Sequence, residues 1–163
     1  MNKAVFLDRD GVINKEIGYV FRTEDFILTD DIIPSLKKLQ AAGFIFVVIT
    51  NQSGIAKELY THEDVAKVHA HMLSLLTEQG IKISEIYYCC HHPDVEPCIC
   101  RKPDSGMIEK AIARFNIDVK RSFMIGDKER DIQAAEKAGV RAFHIESDAP
   151  VMGIAEKMIR EIL

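Results

Sequence analysis

The run Phe44-Ile45-Phe46-Val47-Val48-Ile49 constrains the fold more than any other stretch of this chain. Six consecutive apolar residues, all aromatic or β-branched, are too short for a core helix. They have no polar alternate positions either, so they read as a strand covered on both faces. Such strands belong to parallel sheets, whose crossover connections lay helices on both faces. The rest of the chain fits that frame. Lys3–Leu7 reads as another buried strand, and residues 85–89, 122–125 and 140–145 as three more. Apolar residues at helical spacing mark 32–42, 61–79, 104–115, 128–138 and 151–162, with a loop from Asp8 to about Asp30. Gly43, Gly80 and Gly139 stand at the helix stops, and Asp104 at an acidic N-cap. The expected fold is α/β: a Rossmann-like doubly wound parallel sheet between helices, in three layers. Residues 1–163 are expected to form a single domain, with no room for a separate cap.

The polar residues that follow the strands point to chemistry. Asp8 follows the first strand, Thr50 the second, and Gly126-Asp127 the fourth. Ligands of open parallel sheets bind beyond the carboxyl ends of the strands, so these groups converge on one rim. Asp8 and Asp10 alternate at a strand end and can approach a single site. Two carboxylates that close repel unless a cation or a proton lies between them. A hard divalent ion with oxygen ligands fits, and magnesium is the usual choice beside phosphate. Any one of the three acids could be a turn residue or an N-cap, but all three at strand ends are hard to obtain by accident.

With 21 Lys+Arg against 25 Asp+Glu, the chain has a formal charge of −4 and no basic run. Nucleic acid is therefore excluded as a partner, and a small anionic substrate must be held by a few placed cations and a metal. No apolar run approaches the roughly 20 residues of a membrane span, and the start of the chain lacks a signal-peptide pattern. The expectation is a cytoplasmic monomer without a membrane partner.

The four cysteines, Cys89, Cys90, Cys98 and Cys100, lie within twelve residues. A disulfide scaffold spreads its cysteines to close large loops, whereas local clustering favours a metal. Cys89, His91, Cys98 and Cys100, in the pattern C-x-H-x6-C-x-C, offer three thiolates and an imidazole for a closed, structural zinc site. Cys90 and His92 are the spare donors, and a local disulfide or free thiols are the competing readings.

Four motifs now stand in order: FLDRDGV (6–12), ITN (49–51), RKP (101–103) and GDKERD (126–131). In this the chain resembles the haloacid dehalogenase superfamily of phosphatases along its full length. The resemblance implies that Asp8 attacks phosphorus as a nucleophile, and that Asp10 protonates the leaving oxygen and later activates water. It implies Mg²⁺ held by Asp8, the backbone carbonyl of Asp10, and Asp127, with Asp131 in support. Thr50 and Asn51 would donate to phosphoryl oxygens, and Lys102 would supply fixed positive charge. The cysteine loop, with DRDGVIN (8–14), TNQSGI (50–55) and RKPDSGM (101–107), is similar to the zinc-containing branch acting on heptose bisphosphate and histidinol phosphate. The likeness is nearer the heptose type, which implies a phosphorylated-sugar substrate and a place in lipopolysaccharide-precursor synthesis. Substrate contacts would then come from Arg9, Glu16, Gly18, Tyr19, Asn51, Gln52, Ser53, Arg101 and Lys128, with Arg101 gripping the distal phosphate. The chain departs from the heptose pattern at Lys57-Glu58, where Arg-Gly is usual, and in a shorter zinc loop. A phospho-aspartate receiver domain is the reading from a different class. Asp10, two residues after the nucleophile, is the acid–base such a domain lacks at that place.

Overall fold

A computed structural model describes residues 1–162 of the chain. Its strands are β1 (Lys3–Leu7), β2 (Phe44–Asn51), β3 (Ile83–Cys89), β4 (Phe123–Gly126) and β5 (Arg141–His144). They form one sheet in the order β3-β2-β1-β4-β5, and every pairing is parallel. The chain steps outward from β1 to β3, then returns to the other side of β1 for β4 and β5. β1 is thereby central. Leu7 stands opposite Val48 on one side and Ile125 on the other. Asp8, Thr50 and Asp127 therefore lie within two residues of a common line at the carboxyl edge of the sheet.

The helices are α1 (Ile32–Ala41), α2 (His62–Glu78), α3 (Gly106–Phe115), α4 (Glu129–Lys137) and α5 (Met152–Ile162). Alternation along β1 divides the core in two, because successive side chains of a strand point to opposite faces. Val5 and Leu7 pack in one cluster with Leu36, Val68, Met72 and Met158, from α1, α2 and α5. Ala4 and Phe6 pack in the other with Ile108, Ala111, Ala134 and Ala135, from α3 and α4. Each fully buried large side chain contributes about 1.5–3 kcal/mol, so the doubly covered sheet supplies most of the cohesion.

Local chemistry sets the boundaries. Thr61 Oγ1 accepts from the Asp64 N–H while Asp64 Oδ2 accepts from the Thr61 N–H, a reciprocal box that starts α2. Gly43 has φ +86°, the left-handed conformation that ends α1 and turns the chain into β2. Two expectations need correction. β2 runs on through Thr50 and Asn51, which pair with Tyr88 and Cys89 of β3, so both belong to the strand rather than to a following loop. Asp104 does not cap α3: the helix begins at Gly106, and the Asp104 carboxylate is drawn to Lys137 at 3.2 Å. The long segment after β1 contains a short 3-10 turn, Thr23–Asp25, and is anchored to the core by Val20 and Phe26. Among the described residues, no helix is long and apolar enough to cross a membrane.

Candidate active site

Asp8 sits immediately beyond the central strand and is 5% exposed. Its Oδ1 accepts from its neighbour's backbone, the Arg9 N–H at 2.8 Å, and from Lys102 Nζ at 2.9 Å. Lys102 is 1% exposed and also donates to the Ile49 carbonyl at 2.7 Å. Its Nζ lies 2.7 Å from Asp131 Oδ1, yet that oxygen has no properly directed hydrogen bond, so the contact is an ion pair of poor angle. Burial alone would lower the Lys102 pKa, but the Asp8 and Asp131 carboxylates outweigh it and hold the ammonium charged. Burial pushes the Asp8 carboxyl well above the usual carboxylate range. Lys102 offsets part of that, while Asp131 and Asp10 add to it.

Asp8, Asp127 and Asp131 offer oxygens that all lie within 4.8 Å of one another. Asp127 Oδ2 accepts from Ser147 Oγ and lies 3.3 Å from Lys128 Nζ, whereas its buried Oδ1 has no partner. Buried carboxylate oxygens in excess of nearby cations, one of them orphaned, fit a hard divalent ion. The close approach depends on glycines: a Cβ on Gly126 would come 2.2 Å from Asp131 Cβ, and one on Gly11 2.2 Å from Asp127 Oδ2.

Asp10 is held by different groups. Its Oδ1 accepts from Arg9 Nε at 3.2 Å, Arg9 Nη2 at 2.8 Å and Asn14 Nδ2 at 3.0 Å. Its Oδ2 accepts from Gln52 Nε2 at 3.1 Å. Gln52 Nε2 also donates to Thr50 Oγ1 at 2.9 Å, and the Thr50 hydroxyl in turn makes only a long contact to the Asn51 carbonyl at 3.5 Å, which a better acceptor can replace. The open side of Asp10 faces a cleft of ≈ 90 Å³ lined by Gly18, Tyr19, Asn51, Gln52, Ser53, Tyr60 and Arg130, among others.

At the end of β3 the chain folds back on itself. Cys89 Sγ lies 3.0 Å from Cys100 Sγ and 3.6 Å from Cys98 Sγ, and His91 Nδ1 is 3.3 Å from both Cys89 and Cys100. All four cysteines are unbonded, which excludes the local disulfide in this structure. Three sulfurs and one nitrogen converging within 4.8 Å are a donor set compatible with a closed tetrahedral zinc site.

Comparison with known proteins places this geometry. Residues 99–149 match the family model described as HAD-hydrolase-like. The chain is 41% identical to the D-glycero-alpha-D-manno-heptose-1,7-bisphosphate 7-phosphatase of Photorhabdus laumondii, over 96% of this chain and 90% of that protein. It is 38% identical to the D-glycero-beta-D-manno-heptose-1,7-bisphosphate 7-phosphatase of Haemophilus influenzae, over 100% and 92%. The chain belongs to the HAD-like phosphatase family, in the branch of the heptose-bisphosphate phosphatases. The fold agrees: the D,D-heptose 1,7-bisphosphate phosphatase of B. bronchiseptica, solved with magnesium and phosphate, superposes with a TM-score of 0.85. It is 28% identical, covering 98% of this chain and 99% of that one.

As a HAD-like phosphatase the chain is a phosphoric monoester hydrolase, and its expected site residues can be located. Asp8, Asp10, Thr50, Lys102 and Asp127 come together at the rim. Glu16, Gly18, Tyr19 and Ser53 stand around its mouth, where Glu16 Oε1 accepts from the Gly18 N–H at 2.8 Å. Three residues expected to touch substrate are turned inward. Arg9 is 0% exposed, with its guanidinium committed to Asp10, the Val20 carbonyl and His69. Gln52 is buried, its Oε1 accepting from the Tyr60 hydroxyl at 2.7 Å while its amide nitrogen bridges Asp10 and Thr50. The Asn51 side chain clamps Lys102 at both backbone groups: Nδ2 donates to the Lys102 carbonyl and Oδ1 accepts the Lys102 N–H, each at 3.1 Å. In each case a charged or backbone partner within reach wins the polar atoms before a substrate can. Arg101 donates to the His91 carbonyl at 3.2 Å and lines a separate ≈ 190 Å³ pocket under the cysteine loop.

The site of this phosphatase also recruits residues with no motif signal. Ser147 holds Asp127, and Asp148, at φ +67°, accepts the Glu16 N–H at 2.8 Å while donating to the Gly11 carbonyl. His69, on α2, meets Arg9 Nη1 through Nε2 at 3.2 Å. Burial, reinforced by the Arg9 charge, lowers the His69 pKa to about 4, so the ring stays neutral and accepts. The unfolded chain, with an ordinary histidine, binds this proton at a pH where the native state does not. The His69 contribution to stability is thus present above about pH 6.5 and is lost as pH falls toward 4, by about 3 kcal/mol in all. Denaturant midpoints between pH 7 and 4.5 should fall more steeply for the wild type than for His69→Gln, which keeps an acceptor but no titration. Parallel curves would refute that role for His69.

Proposed function

We propose that the chain hydrolyses the C7 phosphate of D-glycero-D-manno-heptose 1,7-bisphosphate through a phospho-aspartyl intermediate. The observation that carries this reading is the division of labour between two carboxylates. Asp8 is set on Lys102 beside a cation-ready acid cluster, while Asp10, two residues on, is aimed into the cleft by Arg9, Asn14 and Gln52. In this reading Asp8 attacks and Asp10 carries the proton.

In the first step an Asp8 oxygen bonds to phosphorus as the bond to the sugar oxygen breaks, and Asp10 delivers its proton to that leaving oxygen. In the second, Asp10 takes a proton from water, whose oxygen displaces Asp8 and releases phosphate. Lys102 stabilises charge on the transferring group, and the Thr50 hydroxyl turns from its long contact with the Asn51 carbonyl to donate to a phosphoryl oxygen. Asp131 supports Lys102. Asp8, Asp127 and the Asp10 carbonyl would hold Mg²⁺, which supplies neutralising charge between the nucleophile and the phosphate it must approach. Cys89, His91, Cys98 and Cys100 would hold a structural Zn²⁺ that fixes the loop leading into Lys102.

Relatives named for both anomers resemble this chain closely, so the substrate class is favoured over the anomer. The test is phosphate release with Mg²⁺ on both anomers of heptose 1,7-bisphosphate and on histidinol phosphate. A kcat/KM at least about a hundredfold higher on one heptose anomer is expected. Preference for histidinol phosphate would overturn the substrate while leaving the chemistry in place.

A further inference from the structure

We infer that Arg130 is the anion-gripping residue on the leaving-group side of the site, and that it holds the phosphate the enzyme does not hydrolyse. The inference rests on the bisphosphate reading above and assigns that second phosphate a place.

The cleft that Arg130 lines includes Asp10, Tyr19, Ser53 and Tyr60, but neither Asp8 nor Lys102. It is therefore the side of the site beyond the acid–base, where the body of a substrate lies once its reacting phosphate is on Asp8. Arg130 is half-buried in the first turn of α4, and its Nε is sealed from water without a hydrogen-bond partner. Among the described residues no carboxylate lies within 4.0 Å of its guanidinium, whereas Arg9, Arg114 and Arg141 each pair with an acid. A buried donor left unpaired is costly, and a guanidinium fork is the group that best matches phosphate oxygens.

The neighbouring cations are already engaged. Lys102 is spent on Asp8 and Asp131, Arg9 is sealed against Asp10, and Lys128 sits 3.3 Å from Asp127. Arg101 lines a different pocket and donates to the His91 carbonyl. Lys57, hydrogen-bonded to the Tyr19 hydroxyl at 3.2 Å, is an exposed point charge at the far wall. Arg130 thus brings unspent charge, in bidentate form, to the face that meets the substrate body. The residue precedes Asp131 in the GDKERD motif, whose acids drew attention in the sequence while the arginine between them did not.

The experiment compares heptose 1,7-bisphosphate with heptose 7-phosphate, which carries the same scissile C7 phosphoester but lacks the second phosphate. The proteins are wild type, Arg130→Gln and Arg130→Lys, each checked by thermal melting. Arg130→Gln should raise KM for the bisphosphate by about 10- to 100-fold, with kcat within about threefold and KM for the monophosphate nearly unchanged. Arg130→Lys, which keeps charge but loses the fork, should fall between. An equal loss on both substrates, or a fall in kcat at constant KM, would overturn the inference, since Arg130 would then be bracing the catalytic loop. A wild type with no preference for the bisphosphate overturns the substrate reading and carries the inference down with it. A wild-type preference that Arg130→Gln retains overturns the inference alone.

Discussion

Asp8→Asn should lower turnover by at least about four orders of magnitude and, at the same time, raise the melting temperature of the metal-free protein. The loss follows from chemistry: an amide cannot form and release an acyl phosphate. The gain follows from the environment. An acid whose folded-state pKa is raised is favoured in its protonated form, so at this position the charged form is the costly one. Asparagine keeps the shape and removes the charge, while Lys102 retains Asp131 and the Ile49 carbonyl. A gain of about 1–2 kcal/mol, or roughly 2–8 °C, is expected for a chain of this size. With Mg²⁺ present the order should reverse, because the wild type keeps a full ligand set and is stabilised by binding. Phosphate release, with melting curves in chelator and in Mg²⁺, decides the matter. Residual activity above a few percent would sink the nucleophile assignment, and a lower melting temperature in chelator would sink the electrostatic account.

Removal of the zinc proposed for the cysteine loop should cost the enzyme about 10- to 100-fold in kcat/KM while leaving the sheet intact. Lys102 follows Cys100 by two residues, and its ammonium must reach both Asp8 and Asp131 from that short tether. The loop from 90 to 101 contributes few buried apolar groups, and Ile99 is 86% exposed, so packing alone does not hold it. Outer supports of a catalytic group typically cost one to two orders of magnitude when lost. The same loss should follow in Cys100→Ser. Faster amide exchange confined to residues 88–103, with unchanged far-UV circular dichroism, would accompany it. Kinetics that do not move after verified metal loss would show that the thiolates are incidental to catalysis.

The strands and their order of chemistry were legible because burial on both faces leaves a plain signature in short β-branched and aromatic runs. Asp8, Thr50 and Asp127 could be placed at one rim for the same reason: a strand end has a known direction. Legibility stopped one residue further on. Beyond a strand end side chains follow no period, so nothing in the residues told whether Arg9 and Gln52 face a substrate or each other, nor which group Asn51, at the last position of β2, would meet. The structure turns all three inward, each captured by a carboxylate, a backbone pair or a hydroxyl. Ser147 and Asp148 were invisible for a different cause. They follow β5, on the far side of β4 from Asp8, and only the return of the chain brings them beside Asp127 and Gly11. The cysteine loop shows the opposite case. Its donors are close in sequence, so ligand spacing alone could single them out.

The double clamp of Asn51 on Lys102 bears on how such enzymes can diverge. The loop is fastened at one end where Cys89 leaves β3 and at the other where Asn51 grips the Lys102 backbone. Between two fixed points, added residues change the closure entropy only slowly, by about 0.6 kcal/mol per doubling of length. Residues 92–97 are thus a place where insertions can accumulate without moving the lysine, so substrate range can drift there while the hydrolytic step is preserved.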